Sequence, residues 1–427
     1  MTENPPTGNR LVRLAVGAAR GAAAPLLVAV AVQSIGNLVF HAVVGRTLDA
    51  DSYGALGAVL AAMTMLSVPV GALQAAASAL VAGRRSALST TYRALRSVAL
   101  WTAPAAALVL VGAPAVQQYF HLDALIDAVL LAPYLVTTAV LAAARGLLLG
   151  HRKLGTVAGT YLVGTAVRLA LGLALAAPFG VTGALVGTVA AEAASLVLAV
   201  MGLHPGASRD APPRVLKLQT VTLAAAAVTG LFLFSSVDLL MARHYLHGDA
   251  SGQYVATATV AKTVLALPAA LMSAVFPRLV AAWPREGRIR ALASGAAIVV
   301  APALLGGAVV ALAPALLMKI LYGNGFPGSG PLVQLLSAVA AVTSMVTVLT
   351  YAALARRAGT IAMAWVGSVI EVVLIHARHD TPADIATASV LALGPTLVAL
   401  AVMEVRAWRR PLPQKAQVPP ATADLRR

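Results

Sequence analysis

Residues 236–279 are SVDLLMARHYLHGDASGQYVATATVAKTVLALPAALMSAVFPRL, and they decide how the rest of the chain is interpreted. The segment predicts the end of one apolar helix, a short polar turn at residues 248–252, and a second apolar helix. The second helix carries Lys262 and Pro268 inside its apolar stretch. A lysine surrounded by hydrocarbon is costly unless it is neutralised or used, so we expect it to be functional.

The composition is that of a membrane protein. Of 427 residues, 59% are hydrophobic and 11% are charged, and the mean hydropathy is +0.86. A soluble globule of this length would have too little polar surface to cover itself. The sequence has no cysteine, which excludes disulfides, thiolate metal sites and cysteine nucleophiles.

Twelve apolar stretches are close to the length of about 20 residues that a membrane-spanning helix needs. Their approximate limits are 22–46, 54–82, 97–116, 124–149, 154–177, 182–203, 218–240, 254–281, 291–318, 331–354, 360–377 and 385–406. The first is interpreted as a retained span rather than a signal peptide. The eleventh is the shortest and is interrupted by Glu371. The sequence therefore predicts an all-α, polytopic membrane protein with twelve transmembrane helices.

The basic residues predict the orientation. The formal net charge is +16, and 25 of the 31 lysines and arginines fall at span ends that are on the same side as the N-terminus. Four fall at the opposite ends, and Arg168 and Lys262 lie within spans. Because cytoplasmic loops are enriched in Lys and Arg, we expect both termini to be cytoplasmic and the protein to reside in the cytoplasmic membrane. No nucleic-acid partner is expected.

The two halves of the sequence share positions at a nearly constant offset. The pairs are Arg46 and Arg243, Leu48 and Leu246, Gly54 and Gly252, and Pro69 and Pro268, at offsets of 197, 198, 198 and 199. This pattern predicts a parallel repeat of two six-helix bundles. The predicted units are an N-terminal bundle (1–203), a cytoplasmic linker (204–217), a C-terminal bundle (218–406) and a disordered cytoplasmic tail (407–427).

Four segments resemble a known family. Residues 238–254 combine Asp-Leu-Leu-x-Ala-Arg-x-Tyr-Leu with Ala-x-Gly-x-Tyr, and three further segments match in order: residues 37–56, 179–190 and 312–336. Together they resemble polysaccharide flippases of the O-antigen type in the MOP (multidrug/oligosaccharidyl-lipid/polysaccharide) exporter superfamily. The hydrophilic stretch HARHDTPAD at residues 376–384 departs from the family pattern, which puts the packing of the eleventh span in question.

The resemblance implies a transporter rather than an enzyme. Its substrate would be a polyprenyl-diphosphate-linked oligosaccharide or a related lipid-linked glycan. It would be surrounded by membrane lipids, and its protein partners would be a glycan polymerase or glycosyltransferases. Two alternatives stay open: a MATE-type antiporter of drugs or metabolites, and a membrane glycosyltransferase or ligase. The sequence has no Walker-type phosphate loop and no His-Glu-x-x-His spacing, and we expect no cofactor and no metal site.

Lys262 and Arg168 are the predicted substrate-binding cations. At about 1.5 Å per residue, Lys262 lies roughly 12 Å below the outer edge of its span and Arg168 roughly 21 Å above the cytoplasmic edge, so both reach a similar depth. Facing a common cavity, they could hold the diphosphate that the resemblance implies. The alternative for Arg168 is a structural ion pair with Glu192. Lys262 has no evident partner at its depth, because Asp238 is placed nearer the outer end, although a structural pair stays open.

Three carboxylates are candidates for ion coupling. Glu192 and Glu371 fall near the middle of the membrane, where a carboxylate without a cation nearby favours its protonated form. For Glu371 the alternative is a helix end that frays into water. Asp238 and Arg243 belong to the motif of the resemblance, and we expect them to order the outer end of the seventh helix.

The first span carries a polar stripe at Gln33, Asn37 and His41, which lie on one helix face at intervals of four residues. We expect the stripe to line a cavity, with bonding to a neighbouring helix as the alternative, and His41 is a candidate proton site. Gly183 and Gly187 form a small-xxx-small pattern that predicts close helix packing.

Overall fold

In a computed structural model of the chain, the described residues are 24–81, 88–203, 218–262, 271–272, 275–276, 279–280, 282–283, 288–356 and 358–410. They form helices joined by short turns, with no β-strand among them, which confirms the all-α prediction. The predicted linker, Pro268 and residues 411–427 of the predicted tail lie outside the described residues.

The helices fall into two consecutive halves. The first half contains α1 (Ala24–Thr47), α2 (Ala50–Ser67), α3 (Val70–Val81), α4 (Leu88–Tyr119), α5 (Leu125–Val129), α6 (Leu131–Gly150), α7 (Leu154–Val167) and α8 (Leu173–Gly202), with a π-helical turn at Arg168–Gly172. The second half contains α9 (Leu218–Phe234), α10 (Val237–Tyr245), α11 (Asp249–Lys262), α12 (Arg288–Leu312), α13 (Pro314–Tyr322), α14 (Gly330–Ala355), α15 (Ala362–Ala377) and α16 (Pro382–Arg409), with a 3-10 turn at Gly359–Ile361.

The helices are built to cross a membrane. In the described ranges, 9 helical stretches are long and apolar enough to do so, and up to 10 if Ala225–Phe234 and Val237–Tyr245, which are bent by 44°, count as one span. Large apolar side chains cover the outer surface, such as Leu108 at 73% exposure and Leu305 at 69%. In water such a surface would be unfavourable, so the chain is a multi-pass membrane protein.

One apolar stretch, Leu154–Gly202, is too long for a single crossing. Its 49 residues would extend roughly 73 Å as one helix, more than twice the hydrocarbon thickness of about 30 Å. Gly180 breaks it with φ of 58°, a conformation that favours glycine. Beyond this break the two legs pack closely, since a Cβ on Gly187 would lie 2.3 Å from the Cα of Gly172. The predicted glycine packing is confirmed.

Most of the packing is within each half. In the first half α6 lies against α3, α4 and α8, while α1 lies along α7. In the second half α14 packs against α12 and α16, and α15 packs against both α9 and α16. The halves also meet each other: α2 packs on α10 and α11, α13 on α1, and α9 on α3.

The predicted eleventh span is a helix that packs against its neighbours. The stretch Gly359–Ala377 has 19 residues and passes the criterion for a span, and Glu371 in its interior is only 2% exposed. The alternative in which Glu371 frays into water is therefore wrong. The hydrophilic segment that follows it ends α15 and starts α16, because Thr381 and Asp384 each accept a hydrogen bond from the other's backbone N–H.

Candidate functional site

A cavity of about 770 Å³ lies between the two halves. Its walls come from α1, α2, α6, α7 and α8 of the first half and from α9, α11 and α14 of the second. We call it the central cavity. All of the residues predicted to bind substrate border it: Lys262, Arg168, Gln33, Asn37 and His41. The polar stripe on α1 thus faces a cavity.

Arg168 is held in place by its own half. Its Nη1 donates a hydrogen bond of 2.8 Å to Oδ1 of Asn37, and its guanidinium carbon lies 4.2 Å from the centre of the Phe40 ring. Its Nε is buried without a hydrogen-bond partner among the described residues. Glu192 borders the same cavity and lies within electrostatic range of Arg168, but the two make no direct ion pair in the described structure. The predicted alternative of a direct pair is therefore wrong.

Arg145 is a further cation of the central cavity. It lies on α6, donates from Nε to the Thr160 hydroxyl at 2.9 Å, and stacks 4.1 Å over the ring of Tyr161. In the sequence-based prediction Arg145 serves only as a charge that sets the orientation. It is one of the 25 basic residues assigned to span ends, although it lies within the limits of the predicted span 124–149.

Lys262 has a partner whose depth the sequence-based prediction misplaces. Its Nζ lies 2.7 Å from Oδ1 of Asp238, and the Lys262 side chain is 23% exposed whereas that of Asp238 is 6% exposed. The hydroxyl of Tyr254 donates to the other carboxylate oxygen of Asp238 at 2.9 Å. The expectation that Lys262 lacks a partner is wrong, because the two side chains reach each other and form an ion pair.

A second, much smaller cavity of about 20 Å³ lies behind Lys262. Its lining includes Asp238, Lys262, Glu371 and Ser389. Oε2 of Glu371 is buried and has no hydrogen-bond partner among the described residues. Two of the three carboxylates predicted for ion coupling, Asp238 and Glu371, therefore share this small cavity, while the third, Glu192, borders the central cavity.

His41 begins a hydrogen-bonded chain that crosses from one half to the other. Its Nδ1 lies 3.0 Å from the hydroxyl of Tyr53 on α2, and that hydroxyl lies 3.0 Å from the hydroxyl of Tyr322 on α13. All three side chains are buried. Tyr53 and Tyr322 each lie between two predicted spans, within the segments 37–56 and 312–336 that carry the family resemblance.

The halves are joined at the end of the molecule where α1 meets α2 and α10 meets α11. Arg243, 3% exposed, binds the Asp51 carboxylate at 2.5 Å, and its Nε and Nη2 donate to the carbonyl oxygens of Phe120 and His121 at 2.8 and 2.9 Å. Asp51, Phe120 and His121 belong to the first half. Arg243 and Asp238, which we expected to order the outer end of the seventh helix, bind different partners there, Asp51 and Lys262.

Arg46 makes the reciprocal contact. From α1 its Nε donates at 2.8 Å to the carbonyl of Leu321 in the second half, and its Nη2 donates to the carbonyl of Ile320. Between these arginines the helices touch, because a Cβ on Gly252 would lie 1.9 Å from the carbonyl oxygen of Ala50. We call this region, defined by Arg46, Asp51, Arg243 and Tyr322, the closed end.

Histidines surround the Arg243 contact. His121 lies 4.8 Å from His247 and 6.0 Å from His244, measured between ring centres. Partial desolvation, with the neighbouring His247 and Arg243, holds the pKa of His121 below its usual range. The neutral imidazole is therefore the form that suits the closed end.

The central cavity differs from the closed end in how its cations are bound. Arg145, Arg168 and Lys262 all take their polar partners from their own half, so the space between the halves remains free for a ligand. Among the described residues that line the central cavity, Glu192 is the one that carries a carboxylate. Cations therefore outnumber carboxylates in the cavity lining, which suits an anionic ligand.

The comparisons with known proteins concern the fold. No protein-family model matches the sequence, and no curated protein matches it. Solved structures do match. The eukaryotic MATE transporter AtDTX14 superposes with a TM-score of 0.65 at 13% identity, covering 91% of this chain and 96% of that one. The MATE multidrug transporter DinF-BH superposes with a TM-score of 0.63 at 15% identity, covering 90% of this chain and 94% of that one.

The lipid II flippase MurJ, in an inward closed conformation, gives a TM-score of 0.67 at 12% identity, with coverage of 89% of this chain and 88% of that one. A further match is described as a MATE family transporter of the MOP superfamily in an inward-facing conformation. The chain therefore shares its fold with these MATE transporters and with MurJ. Both drug transporters and a lipid flippase use this fold.

Proposed function

We propose that the protein is a flippase that moves a polyprenyl-diphosphate-linked oligosaccharide, or a related lipid-linked glycan, from the inner to the outer leaflet of the cytoplasmic membrane. The observation that carries the proposal is the set of cations on the central cavity: Arg145, Arg168 and Lys262 face one space between the halves. Cations placed in a partly dry cavity bind phosphate more strongly than the same groups in water.

The proposed architecture is twelve helices in two six-helix bundles related by a parallel repeat, with both termini cytoplasmic. The orientation rests on the excess of Lys and Arg at one set of span ends. In this orientation the closed end faces outwards, and substrate enters the central cavity from the cytoplasmic side. Reporter fusions placed after Arg214 and after Gly248 should report opposite sides of the membrane, and two cytoplasmic reports would contradict the topology.

Each cavity residue has a proposed role. Arg168 and Arg145 offer planar guanidinium groups for two-point contacts with phosphate oxygens, and Lys262 offers a point charge. Gln33 and Asn37 on the same wall suit the hydroxyl groups of a sugar. The volume of about 770 Å³ falls in the usual range of ligand cavities, so the head group enters while the polyprenyl chain stays in the bilayer.

Transport follows by alternating access. Opening towards the outer leaflet requires the contacts of Arg46 and Arg243 and the bond between Tyr53 and Tyr322 to break, since these join the halves at the closed end. Asp238, Glu371 and Glu192 are the proposed ion-coupling groups of this cycle, because they are the carboxylates nearest the cavity cations. His41 connects the cavity with the closed end.

The runner-up is a MATE-type antiporter of cationic drugs or metabolites. Two observations favour it: the superposition on MATE transporters and the carboxylate of Glu192 on the cavity. Against it, a cationic substrate would meet Arg145 and Arg168 at the same site, and like charges at close range repel. The charge of the lining therefore favours the flippase.

Reconstituted vesicles distinguish the two functions. Purified protein is placed in liposomes with a fluorescent polyprenyl-diphosphate oligosaccharide, and the label accessible to a membrane-impermeant quencher is followed over time. We expect transbilayer movement of the lipid-linked glycan and no uptake of a fluorescent organic cation under a pH gradient. Cation uptake without movement of the glycan lipid would contradict the flippase and establish the antiporter.

A further inference from the structure

Lys262 borders both cavities. Together with Ser235 and Thr343 it belongs to the lining of the central cavity and to that of the small cavity behind it. Its ammonium group is bound to Asp238 in the small cavity, yet its side chain keeps 23% exposure. A flexible four-carbon side chain in this position reaches a partner on either side.

We propose that Lys262 is a two-position switch: its ammonium group leaves Asp238 for the diphosphate of the incoming substrate, and a proton from solution replaces it on the carboxylate pair Asp238 and Glu371. This inference rests on the proposed function, because it requires an anionic substrate in the central cavity. It adds to that function a coupling mechanism, in which substrate binding and proton uptake are one event.

The surroundings of Asp238 explain why a replacement charge is needed. Asp238 and Glu371 are 4% and 2% exposed, and Oε2 of Glu371 has no hydrogen-bond partner among the described residues. When Lys262 departs, two buried carboxyl groups remain beside each other. Two negative charges at such a site are strongly unfavourable, so one group takes up a proton. A cavity of about 20 Å³ has no room for a large hydrated ion.

The titratable groups around the pair come from three elements of the described structure. Asp238 is on α10, Tyr254 and Lys262 are on α11, and Glu371 is on α15. The neighbouring helices α14 and α16 contribute the uncharged Thr343 and Ser389. Tyr254 donates its hydroxyl proton to a hydrogen bond with Asp238 and so stabilises the carboxylate. Lys262 is thus the cation on which this pair depends.

The proton balance of the step is simple. Lys262 stays protonated throughout, and its ammonium group exchanges one anionic partner for another. One proton enters from solution as the substrate binds and leaves when the substrate is released and Lys262 returns to Asp238. Arg168 differs from Lys262, because its hydrogen bond is to a neutral amide, Asn37, and its movement would break no direct ion pair among the described residues.

The test is the pH dependence of binding. Purified protein in lipid nanodiscs is titrated with farnesyl diphosphate by calorimetry between pH 7 and 9, at constant ionic strength with choline chloride. If one proton is taken up with the ligand, Kd rises with pH by up to about tenfold per unit. Ionisation of the diphosphate itself acts in the opposite direction, since a more negative ligand binds the cavity cations more strongly.

Variants separate the switch from a structural role. Glu371→Gln should give a Kd that no longer rises with pH. Asp238→Asn should do the same and should also bind more tightly than the wild type at pH 9, since Lys262 no longer has to leave a carboxylate. Lys262→Met should bind weakly at every pH. The control Asp249→Asn, an exposed acid on α11, should keep the full pH dependence.

Three outcomes would overturn the switch. A wild-type Kd that changes with pH in the same way as the Kd of Glu371→Gln would show that no proton enters this pair with the ligand, because ionisation of the diphosphate affects both proteins equally. Dependence of Kd on Na⁺ in place of choline, without pH dependence, would assign the replacement charge to a metal ion. If the folded wild type does not bind farnesyl diphosphate at all, both the switch and the proposed function are overturned. The first two outcomes overturn the switch alone.

Discussion

The closed end and the central cavity lie between the same two halves, yet their cations are bound in opposite ways. At the closed end Arg46 and Arg243 bind groups of the other half, and each commits its charge to the contact. In the cavity Arg168 and Lys262 bind groups of their own half. Cations bound across an interface hold it shut, whereas cations bound within one half leave the space between the halves open to a ligand.

The reciprocity of Arg46 and Arg243 sharpens this contrast. They are the positions that recur at an offset of 197, and each donates to backbone carbonyls of the opposite half. Arg243 gains a carboxylate, Asp51, that Arg46 lacks in the described structure. The contact made by Arg243 is therefore expected to be stronger than the contact made by Arg46.

The largest expected effect comes from locking the closed end. A Cβ on Gly54 would lie 2.3 Å from Oγ of Ser251, so cysteines at these two positions are within disulfide range. The double variant Gly54→Cys, Ser251→Cys should lose all transport on oxidation and regain it with a reductant. Because the sequence has no cysteine, neither single variant can form the cross-link, and the Gly54→Cys variant alone measures the effect of placing a Cβ 2.9 Å from the backbone nitrogen of Gly252. Full transport by completely cross-linked protein would mean that this end does not open.

The second prediction separates the helices at the same place. Gly252→Ala puts a Cβ 1.9 Å from the carbonyl of Ala50, and overpacking of this kind costs about 1–3 kcal/mol, enough to change the ratio of closed to open protein by roughly tenfold. The change is measured as the distance between spin labels at Thr47 and Asp249. Gly394→Ala is the matched control, since a Cβ there meets no atom within 4 Å. Equal distances in both variants would contradict the tight contact.

The third prediction concerns the cavity side of the comparison. Arg168 is bonded to Asn37 but not to Glu192, so a double-mutant cycle on farnesyl diphosphate binding should give a coupling of about 0.5–3 kcal/mol for Arg168 with Asn37. The coupling of Arg168 with Glu192 should be smaller. Membrane abundance is measured beside binding. Loss of abundance in Arg168→Ala that Glu192→Gln restores would instead make these two residues a structural pair.

The smallest expected effect is the pH dependence of the closed end. The pKa of His121 is lowered where the halves meet, so the closed state favours neutral imidazole. As pH falls through that pKa, protonation adds a cation beside Arg243, His244 and His247, and the closed end loosens. The spin-label distance between Thr47 and Asp249 should broaden between pH 7 and 5, and less so in His121→Gln. Identical broadening in the variant would remove His121 from the account.

Much of this arrangement could be predicted from the sequence, because its signals are local. Apolar length predicted the helices, and a charge or a polar stripe inside an apolar stretch marked Lys262, Arg168 and Gln33 as cavity residues. Even Glu371, which interrupts a short span, was correctly marked as unusual, since a carboxylate is rarely buried in such a place.

The partners of these residues could not be predicted, because they depend on bends and on contacts between distant segments. Counting residues along a straight helix puts Asp238 nearer the membrane surface than Lys262, yet the two side chains lie within 2.7 Å, and the helix is bent by 44° just before α10. Arg243 and Asp51 are 192 positions apart, and nothing in either segment points to the other. A count of charges at span ends also did not reveal that Arg145 lines the central cavity.

The most direct test of the central claim is the flipping rate of Lys262 variants. The claim is that a cation held on one side of the cavity binds the diphosphate of a lipid-linked glycan. In liposomes with equal amounts of reconstituted protein, Lys262→Ala should abolish or strongly reduce movement of a polyprenyl-diphosphate oligosaccharide, and Lys262→Arg should retain part of it, since the charge is kept. Full movement with Lys262→Ala would contradict the claim.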